Sequence, residues 1–374
     1  MRRGHFDSLR PLCPVCRTGN EAGFALRIAQ AQREQAGHIL EGALHCTNPD
    51  CLREFPIIDG IPLIVTNIRQ YVSDHILPIY ARRDLSEFVE SMLGDCCGPG
   101  SAFEQTRQHL SSYAWDHYGD LDPQETVGEP RPGSMLKNLE VGFQAAGLGD
   151  SQSGAGEPHC PTLGPILDVG CSVGRSSFAL AERGADLVLG VDLSFAMLRV
   201  AGEALRQGVV RYPRRRAGLV YERREFPTRF AHQDKVDFWA CDAAALPFPA
   251  STFTVAVTMN LLDCLCAPRE LLVSLGLVLK DGGRVVLTCP YDWSPTATPL
   301  EAWLGGHSQR SPLAGSCEAV LRKLLTPGAH PGSINTLKLL TERDNLPWQV
   351  RLHDRSTMAY KVHLVVAERV RREA

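Results

Sequence analysis

The chain has 374 residues, a length that suits about two or three domains. Apolar residues make up 44% and charged residues 22%, as in ordinary globular proteins. Lys and Arg number 39 against 42 Asp and Glu, so the net charge of −3 gives no overall field that would attract a nucleic acid or an anionic membrane. These values exclude a disordered or fibrous chain.

The sequence contains no segment that indicates a membrane span or a secretory signal. No run approaches the length of about 18 apolar residues that a spanning helix needs, and the basic start Met1-Arg2-Arg3 has no apolar stretch after it. The 13 cysteines are scattered through a long chain, which indicates reduced thiols and metal ligation instead of disulfides. We therefore expect a cytoplasmic protein without a membrane partner.

Composition divides the chain into three parts. Residues 1–66 carry paired cysteines, and residues 165–374 have the pattern of an α/β domain. The segment 67–164 between them is predicted to be a helical bridging region and linker, because residues 123–165 are rich in Gly, Pro, Ser and Glu around a short helix at 135–146.

Two cysteine pairs in the first part have the spacing of zinc knuckles. Cys13 and Cys16 are separated by two residues, and Cys46 and Cys51 follow about thirty residues later with four residues between them. Four thiolates could bind one tetrahedral zinc ion and stabilise a segment too short for a core of its own. The alternative is four free cysteines, and the neighbours Cys96 and Cys97 are interpreted as incidental.

The residues around these pairs resemble a known zinc ribbon. The segments LCPVC and REFPIIDGIPLIV (53–65) are similar to the family typified by the activator subunit of tRNA and protein methyltransferases, over about residues 9–66. The resemblance implies a small zinc-ribbon domain in which the metal is structural. The second pair is two residues longer than the usual CxxC of the family.

From residue 166 onward, short apolar runs alternate with segments of helical period. PILDVG, SSFALAERG, LVLGVDL and FAMLRVAGEAL follow one another, which predicts βαβ units and a parallel sheet covered on both faces. Further strands are predicted at 236–240, 254–259 and 283–289, with a helix at 268–279. The C-terminal segment MAYKVHLVVAERV predicts an antiparallel edge strand, so the fold class is α/β with a doubly wound, mostly parallel sheet.

A glycine loop follows the first of these strands. Asp168 and Val169 lead into Gly170, and Gly174 opens the next helix, where bare backbone and helix N–H groups can approach a ligand. The loop lacks the G-x-G-x-x-G spacing of a dinucleotide site. Asp192, 18 residues beyond Gly174, ends the next strand, where a carboxylate can accept both hydroxyls of a ribose. The pattern predicts a purine nucleoside without a pyrophosphate.

Three motifs together resemble class I S-adenosylmethionine-dependent methyltransferases: DVGCSVGR, GVDLS, and Cys241-Asp242-Ala243 with LPFP, over about residues 165–290. The resemblance implies a seven-stranded Rossmann-like sheet and S-adenosylmethionine as cofactor. It also implies a cofactor-binding set of Asp168, Gly170, Cys171, Ser172, Gly174, Asp192, Leu193, Met197, Asp242, Ala243 and Asn260.

Within that set the resemblance implies separate roles. Asp168 and the glycine loop face the methionine moiety, Asp192 holds the ribose, Leu193 and Met197 flank the adenine, and Asp242 accepts from its amino group. The alternative is a generic α/β domain with a structural turn at the glycines.

Asn260 stands where the next strand ends and a substrate pocket begins. Methyltransferases of nucleic-acid amines often have an N/D-P-P-Y/F tetrad at this point, and the chain has Asn260-Leu261-Leu262-Asp263. This difference disfavours a nucleobase amine as substrate. Asp263 could contact substrate or cap a helix.

The loop after the last parallel strand is rich in aromatic residues. Tyr291, Trp293 and Trp303 could form walls for a flat or cationic ligand, or could fill a small structural cap.

The blocks PYDW…TP…WLGG and DNLPW…RLHDR, with HYG at 117–119, resemble the methyltransferase domain of ovothiol biosynthesis, over about residues 112–368. That domain methylates an imidazole nitrogen of 4-mercaptohistidine, and it has no zinc ribbon. The resemblance implies a small-molecule substrate contacted by Tyr118, Tyr291, Trp293, Trp303 and Arg355.

His353 is the candidate for substrate binding or proton acceptance, because the pKa of a histidine lies near working pH. The alternative is a surface or core histidine.

An Arg-rich segment at 206–229 leaves a nucleic-acid partner open. It could grip a phosphate backbone, but it lacks the interleaved aromatic and Gly pattern of a single-strand platform, so a solvated insertion is the favoured interpretation. The sequence thus predicts a methyltransferase of a small heteroatom nucleophile. The alternatives are an RNA or protein methyltransferase and a non-catalytic activator; the oligomeric state stays open.

Overall fold

The computed structural model describes residues 1–17, 23–126, 128, 130–148 and 163–371, so part of the predicted linker lies outside the described residues. The helices are α1 (Arg3–Leu9), α2 (Ile68–Asp74), α3 (Ile76–Tyr80), α4 (Glu87–Cys97), α5 (Ala102–Tyr118), α6 (Ser134–Ala145), α7 (Arg175–Ala181), α8 (Phe195–Gln207), α9 (Pro268–Val278) and α10 (Cys317–Leu324). The strands are β1 (Leu26–Gln35), β2 (His38–Cys46), β3 (Glu54–Ile58), β4 (Ile61–Ile64), β5 (Ile166–Val169), β6 (Val188–Asp192), β7 (Val209–Ala217), β8 (Val220–Pro227), β9 (Val236–Cys241), β10 (Phe253–Met259), β11 (Leu279–Cys289), β12 (Leu337–His353) and β13 (Ser356–Arg369). Every helix among the described residues is too short or too polar to cross a membrane.

Eleven strands form one mixed sheet, in the order β1-β2-β3-β4-β9-β6-β5-β10-β11-β13-β12. The strands from β4 to β11 in this order run parallel to one another, and the remaining pairs are antiparallel. The α/β class is confirmed. A separate seven-stranded sheet is not confirmed, because the strands from β9 to β12 in this order continue into four strands from the first 66 residues.

The join between these two groups of strands is made by β4 and β9. Leu63 pairs with Ala240 and Ile64 with Cys241, and every residue of β4 is buried. The backbone N–H of Arg2 also donates to the carboxylate of Asp237 in β9, at an N–O distance of 2.7 Å. Without β4, strand β9 would be an edge with open N–H and C=O groups.

Helices cover both faces of the sheet, and each face has its own apolar core. One core lies beneath α1, α9 and α10 and includes Trp239 and Leu275. The other lies beneath α5 to α8 and includes Phe143, Phe178 and Leu198. Burial of each such side chain contributes about 1.5–3 kcal/mol, so the two cores hold the ends of the parallel strands in fixed relative positions.

The C-terminal segment forms a long hairpin of β12 and β13. Its antiparallel pairing confirms the prediction, but β13 lies between β11 and β12 and is not the predicted edge strand. The edge is β12, which the sequence did not reveal. Its register shifts between Arg343 and Leu346, where Asn345 has a φ of 59°, and Pro347 is tolerated on an edge. These irregularities interrupt the alternation that would have predicted a strand.

The Arg-rich segment is a separate hairpin of β7 and β8. Tyr212 and Phe226 bury one side of it in the core. All six arginines of the two strands form ion pairs with carboxylates: Arg211, Arg214, Arg215, Arg216, Arg223 and Arg224. The favoured interpretation as a solvated insertion is wrong, because the hairpin is packed and its charges are compensated.

Candidate functional site

The glycine loop connects β5 to α7 and turns at two residues of positive φ. Gly170 has a φ of 75° and Gly174 a φ of 88°, a backbone conformation that side-chain-bearing residues rarely adopt. The N–H groups of Gly170 and Cys171 donate to the carbonyl oxygen of Val191 at 2.8 and 3.1 Å. The loop is therefore fastened to the end of β6.

Close packing adds a second requirement for glycine at position 174. A Cβ there would lie 2.6 Å from Phe238 Cζ and 2.7 Å from Ala201 Cβ. Because both neighbours belong to the core, they cannot move aside easily. The start of α7 is thus pressed against β9 and α8.

Asp192 at the end of β6 joins this loop to the next segment. Its Oδ2 accepts from the N–H of Ser172 at 2.9 Å, and its Oδ1 accepts from the N–H of Ser194 at 2.8 Å. Burial raises the pKa of this carboxyl, and the backbone N–H groups oppose that rise. Each oxygen can accept further hydrogen bonds, so the partly exposed carboxylate can still bind two neighbouring hydroxyls.

Leu193 and Met197 differ in their access to solvent. Leu193 is 38% exposed, whereas Met197 is buried in the core. The hydroxyl of Ser194 accepts from the N–H of Met197 at 3.4 Å and begins α8. Of the two predicted adenine neighbours, Leu193 is the one with an exposed surface.

Asp242 and Asn260 follow β9 and β10. Oδ1 of Asp242 accepts from the N–H of Ala244 at 2.9 Å, which begins a short turn over Ala243–Ala245. Asn260 has a φ of 53°, and its Oδ1 accepts from the hydroxyl of Thr288 at 2.8 Å. Since β5, β6, β9 and β10 are parallel, these residues, the glycine loop and Asp192 meet at one edge of the sheet.

Asp168 is buried beneath the loop and does not present its carboxylate to the open crevice. Its Oδ2 accepts from the hydroxyls of Ser176 and Ser177, each at 2.6 Å, and burial raises its pKa to about 6. Cys171 is likewise buried. The structure therefore corrects the expectation for both side chains: Asp168 supports the start of α7, and the Cys171 thiol lies in the core.

Tyr71 of α2 and His75, the residue directly after that helix, lie beside Asp192, and no motif in the sequence indicates this. The Tyr71 hydroxyl donates to the carbonyl oxygen of Leu193 at 2.9 Å, and the His75 ring stacks on Tyr71 with centroids 4.2 Å apart. The net effect of burial is to raise the pKa of Asp192, and the neighbouring His75 opposes that rise. A helix from the bridging region thus forms a wall of the crevice.

Five further residues from distant elements lie close to one another and to Asp192, and we call them the outer polar group. They are Tyr113 of α5, Asp263 and Cys264 after β10, Asp292 after β11, and Tyr360 of β13. The Tyr360 hydroxyl donates to Oδ2 of Asp292 at 3.1 Å, and the N–H of Asp292 donates to Oδ2 of Asp263 at 2.6 Å. Of these five residues, only Asp263 is indicated by the sequence as a candidate for contact with substrate.

Electrostatic effects connect the outer polar group to Asp192. Desolvation, together with the carboxylates of Asp263, Asp292 and Asp192, raises the pKa of Cys264 to about 12. Burial also raises the pKa of Tyr113, with added effects from Cys264, Tyr360 and Asp192. Part of the outer polar group is nevertheless in contact with solvent, since Tyr113 is 43% exposed and Asp292 is also exposed.

Tyr118 does not line this space. The side chain is fully buried, and its hydroxyl donates to the carbonyl oxygen of Val173 at 2.7 Å. The expectation of a substrate contact is wrong for this residue. It supports the glycine loop from behind.

The predicted aromatic wall is a structural cap. Trp293 and Trp303 stack with centroids 5.8 Å apart, and the indole N–H of Trp293 donates to the thiol of Cys317 in α10. The Tyr291 hydroxyl lies 2.8 Å from Nδ1 of buried His363. Trp293 thus packs toward α10 and Tyr291 toward buried His363, whereas Asp292 between them in the sequence is exposed.

His353 and Arg355 lie at the tip of the β12–β13 hairpin. His353 is paired with Ser356, whereas His363 is the residue level with the end of β11. His363 lies seven positions beyond Ser356 in the strand, or roughly 24 Å along the hairpin. Nδ1 of His353 accepts from the N–H of Arg355 at 3.2 Å. The structure does not bring the predicted catalytic histidine to the strand ends.

The four cysteines of the predicted zinc site come together. Their Sγ atoms all lie within 4.8 Å of one another, with 3.9 Å between Cys13 and Cys51 and 3.7 Å between Cys16 and Cys46. Four sulfurs at about 2.3 Å from a zinc ion would be about 3.8 Å apart. The N–H of Asn48 donates to Sγ of Cys46 and its side-chain amide donates to Sγ of Cys16. The longer second pair forms a turn at Asn48, so the donor set fits one tetrahedral ion.

Comparison with known proteins agrees with this geometry. Residues 167–287 match the model of a family described as a methyltransferase domain. The chain is 36% identical over 131 residues to the demethylmenaquinone methyltransferase of Clavibacter sepedonicus, which covers 35% of this chain and 42% of that protein. The chain thus spans less than half the length of that relative.

Solved structures show weaker likenesses. A SAM-dependent methyltransferase from Methanosarcina mazei has 22% identity and a TM-score of 0.35, covering 55% of this chain and 92% of that chain. Phosphoethanolamine N-methyltransferase 2 of Haemonchus contortus, solved with S-adenosyl-L-methionine, has 22% identity and a TM-score of 0.30, covering 49% and 35%. At such low TM-scores, neither likeness identifies the function of this chain.

The family match includes the glycine loop, Asp192, Asp242 and Asn260, which the parallel strands bring to one edge of the sheet. Residues 167–287 therefore have the sequence of a methyltransferase domain.

Proposed function

We propose that this chain transfers a methyl group from S-adenosylmethionine to a heteroatom of a small molecule. The carboxylate of Asp192 carries the proposal. It accepts backbone N–H groups from the glycine loop and from Ser194, at the carboxyl end of a strand inside the matched domain. A ribose with two free hydroxyls suits this carboxylate, and the loop beside it does not have the glycine spacing of a pyrophosphate site.

The residues at the strand ends would position the cofactor. When bound, S-adenosylmethionine supplies a methyl group on a sulfonium, an excellent leaving group. Asp192 would hold the ribose, Leu193 would lie along the adenine and Asp242 would accept from its amino group, while Gly170, Ser172 and Asn260 would border the methionine end. Methyl transfer depends mainly on the alignment of the methyl group with the acceptor atom. The main contribution of the chain would therefore be the fixed backbone of the glycine loop, which positions the cofactor.

An imidazole nitrogen of a histidine derivative is the first acceptor to test. An imidazole is largely neutral near pH 7 and is nucleophilic without a strong base. The outer polar group offers phenols, a thiol and carboxylates to bind and orient such a molecule.

A quinol-like acceptor is the second candidate. The relative from Clavibacter is named for demethylmenaquinone. Exposed apolar side chains on α3 and α4, among them Leu77, Tyr80 and Phe88, could accommodate an apolar tail. A macromolecular substrate has less support, because the arginines of the β7–β8 hairpin are already paired with carboxylates.

We also propose that Cys13, Cys16, Cys46 and Cys51 bind one structural zinc ion. The close approach of the four thiols and the two N–H donors from Asn48 support this. Metal analysis of the purified chain is expected to find about one zinc per chain, lost in the C13S/C16S variant. A parent protein without zinc would contradict the site.

Incubation of the chain with methyl-labelled S-adenosylmethionine and size-fractionated cell extract tests the function. Label is expected in the small-molecule fraction. Label in RNA or protein would favour docking of a macromolecule and overturn the proposal. Binding of the cofactor without label transfer to any fraction would indicate a non-catalytic protein.

A further inference from the structure

The outer polar group has an excess of negative charge. Asp263 is buried and Asp292 is exposed, and the N–H of Asp292 donates to Asp263 at 2.6 Å. The charged side chains that act most strongly on Tyr113, Cys264 and Tyr360 are the carboxylates of Asp192, Asp263 and Asp292. Like charges this close raise the free energy of the site, and a bound cation would relieve that cost.

The geometry identifies Asp292 as the member available to a ligand. Oδ2 of Asp263 accepts a hydrogen bond from the N–H of Asp292, and Asp263 is only 1% exposed. Asp292 is exposed, and its Oδ2 is oriented by the hydroxyl of Tyr360 at 3.1 Å. That hydroxyl comes from the part of β13 that extends beyond its pairing with β11.

The second observation is the position of this pair relative to the cofactor side. Asp192 acts electrostatically on both Tyr113 and Cys264. The loops after β10 and β11, which carry Cys264 and Asp292, leave the sheet at the same edge as Asp192, where the proposed function has the methyl group react. The carboxylate of Asp292 can therefore bind a positively charged group of the acceptor.

Resting on the proposed function, we infer that the acceptor carries an amino group or another basic nitrogen, bound by Asp292 and oriented through Tyr360. Asp292 is a specificity-determining residue, and Tyr360 is its positioning residue. A quinol has no such group and is not expected to be methylated.

Fractionation of small molecules by basicity tests this inference. A deproteinised extract is passed over a strong cation exchanger at about pH 2, where amines are charged and carboxyls are neutral. The retained pool and the flow-through, each neutralised, are incubated with the full chain and methyl-labelled S-adenosylmethionine. Label is expected only with the retained pool. Transfer to the flow-through, or to neither pool, would overturn the inference.

Variants connect that result to the residues. Asp292→Asn is expected to lower transfer to the retained pool about tenfold, and Tyr360→Phe about threefold with a raised KM. Asp281→Asn is the matched control. Asp281 is an exposed carboxylate near the start of β11, at the opposite end of the strand from Asp292, and it is paired with Arg369 and Arg371. It should change transfer by less than about twofold.

Binding of S-adenosylhomocysteine separates the two proposals. All three variants are expected to bind it with the affinity of the parent chain. If the parent does not bind it, the proposed function fails. If the parent binds it and Asp292→Asn transfers label at the parental rate, only the role of Asp292 fails.

Discussion

The two sides of the crevice are built in different ways. The cofactor side comes from short, contiguous segments at the ends of β5, β6, β9 and β10, and its contacts are largely backbone hydrogen bonds. The outer polar group comes from α5, β13 and two loops, and its contacts are between side chains. Backbone contacts fix the cofactor side, so substitutions there should affect binding and stability strongly. Substitutions in the outer polar group should affect the choice of acceptor.

Asp192→Ala should have the largest effect. Loss of two hydrogen bonds from a charged acceptor is expected to weaken S-adenosylhomocysteine binding by at least about 100-fold, measured by calorimetry. Asp186→Ala is the control, since Asp186 is exposed before the opposite end of β6. Unchanged affinity in Asp192→Ala would contradict the assignment of the cofactor side.

Gly174→Ala should destabilise the fold by about 3 kcal/mol, because it combines positive φ with overpacking. The new Cβ would approach Phe238 and Ala201 within 2.7 Å. Gly147 has a φ of 70° and nothing within 4 Å, so Gly147→Ala should lose only about 1 kcal/mol. Chemical denaturation gives both values, and equal losses would show that packing at the loop is looser than described.

Asp168 should make stability depend on pH. Its pKa is raised from 3.8 to about 6 in the folded state, so the folded protein holds the proton more tightly than the unfolded chain. The parent should therefore lose about 3 kcal/mol relative to Asp168→Asn as pH rises from about 4 to 6. Urea unfolding of both proteins across this range measures the difference. A constant difference would mean that the buried carboxyl titrates normally.

Tyr118→Phe should have a modest effect on stability alone. The loss of its hydrogen bond to Val173 should lower the free energy of unfolding by about 1 kcal/mol, while the KM for the acceptor stays constant. A raised KM for the acceptor, at unchanged affinity for the cofactor, would show that Tyr118 contacts the substrate.

His353→Ala should have the smallest effect. At the hairpin tip, the ring contacts the backbone of Arg355, so kcat/KM is expected to change by less than about twofold. A loss of about 100-fold would restore the histidine as a catalytic residue.

The sequence predicted that the glycine loop and Asp192 stand at strand ends, because these residues belong to local motifs with fixed spacing. The positions of Gly170, Gly174 and Asp192 at strand ends followed from the alternation of strand and helix. It predicted the outer polar group poorly, since Tyr113 and Tyr360 are separated by 247 positions and share no motif. The aromatic residues of 291–303 misled for a related reason: a hydrophobic cap and a ligand wall have the same composition, and only the packing against α10 distinguishes them.

The pairing of β4 with β9 has a practical consequence for any attempt to isolate the catalytic region. Truncation before residue 67 would uncover the backbone of β9 together with the buried carboxylate of Asp237. An uncovered strand of this kind is a template for aggregation with other chains. Fragments meant for crystallisation or screening should therefore retain the N-terminal segment, even when the chemistry under study lies entirely in the downstream sheet.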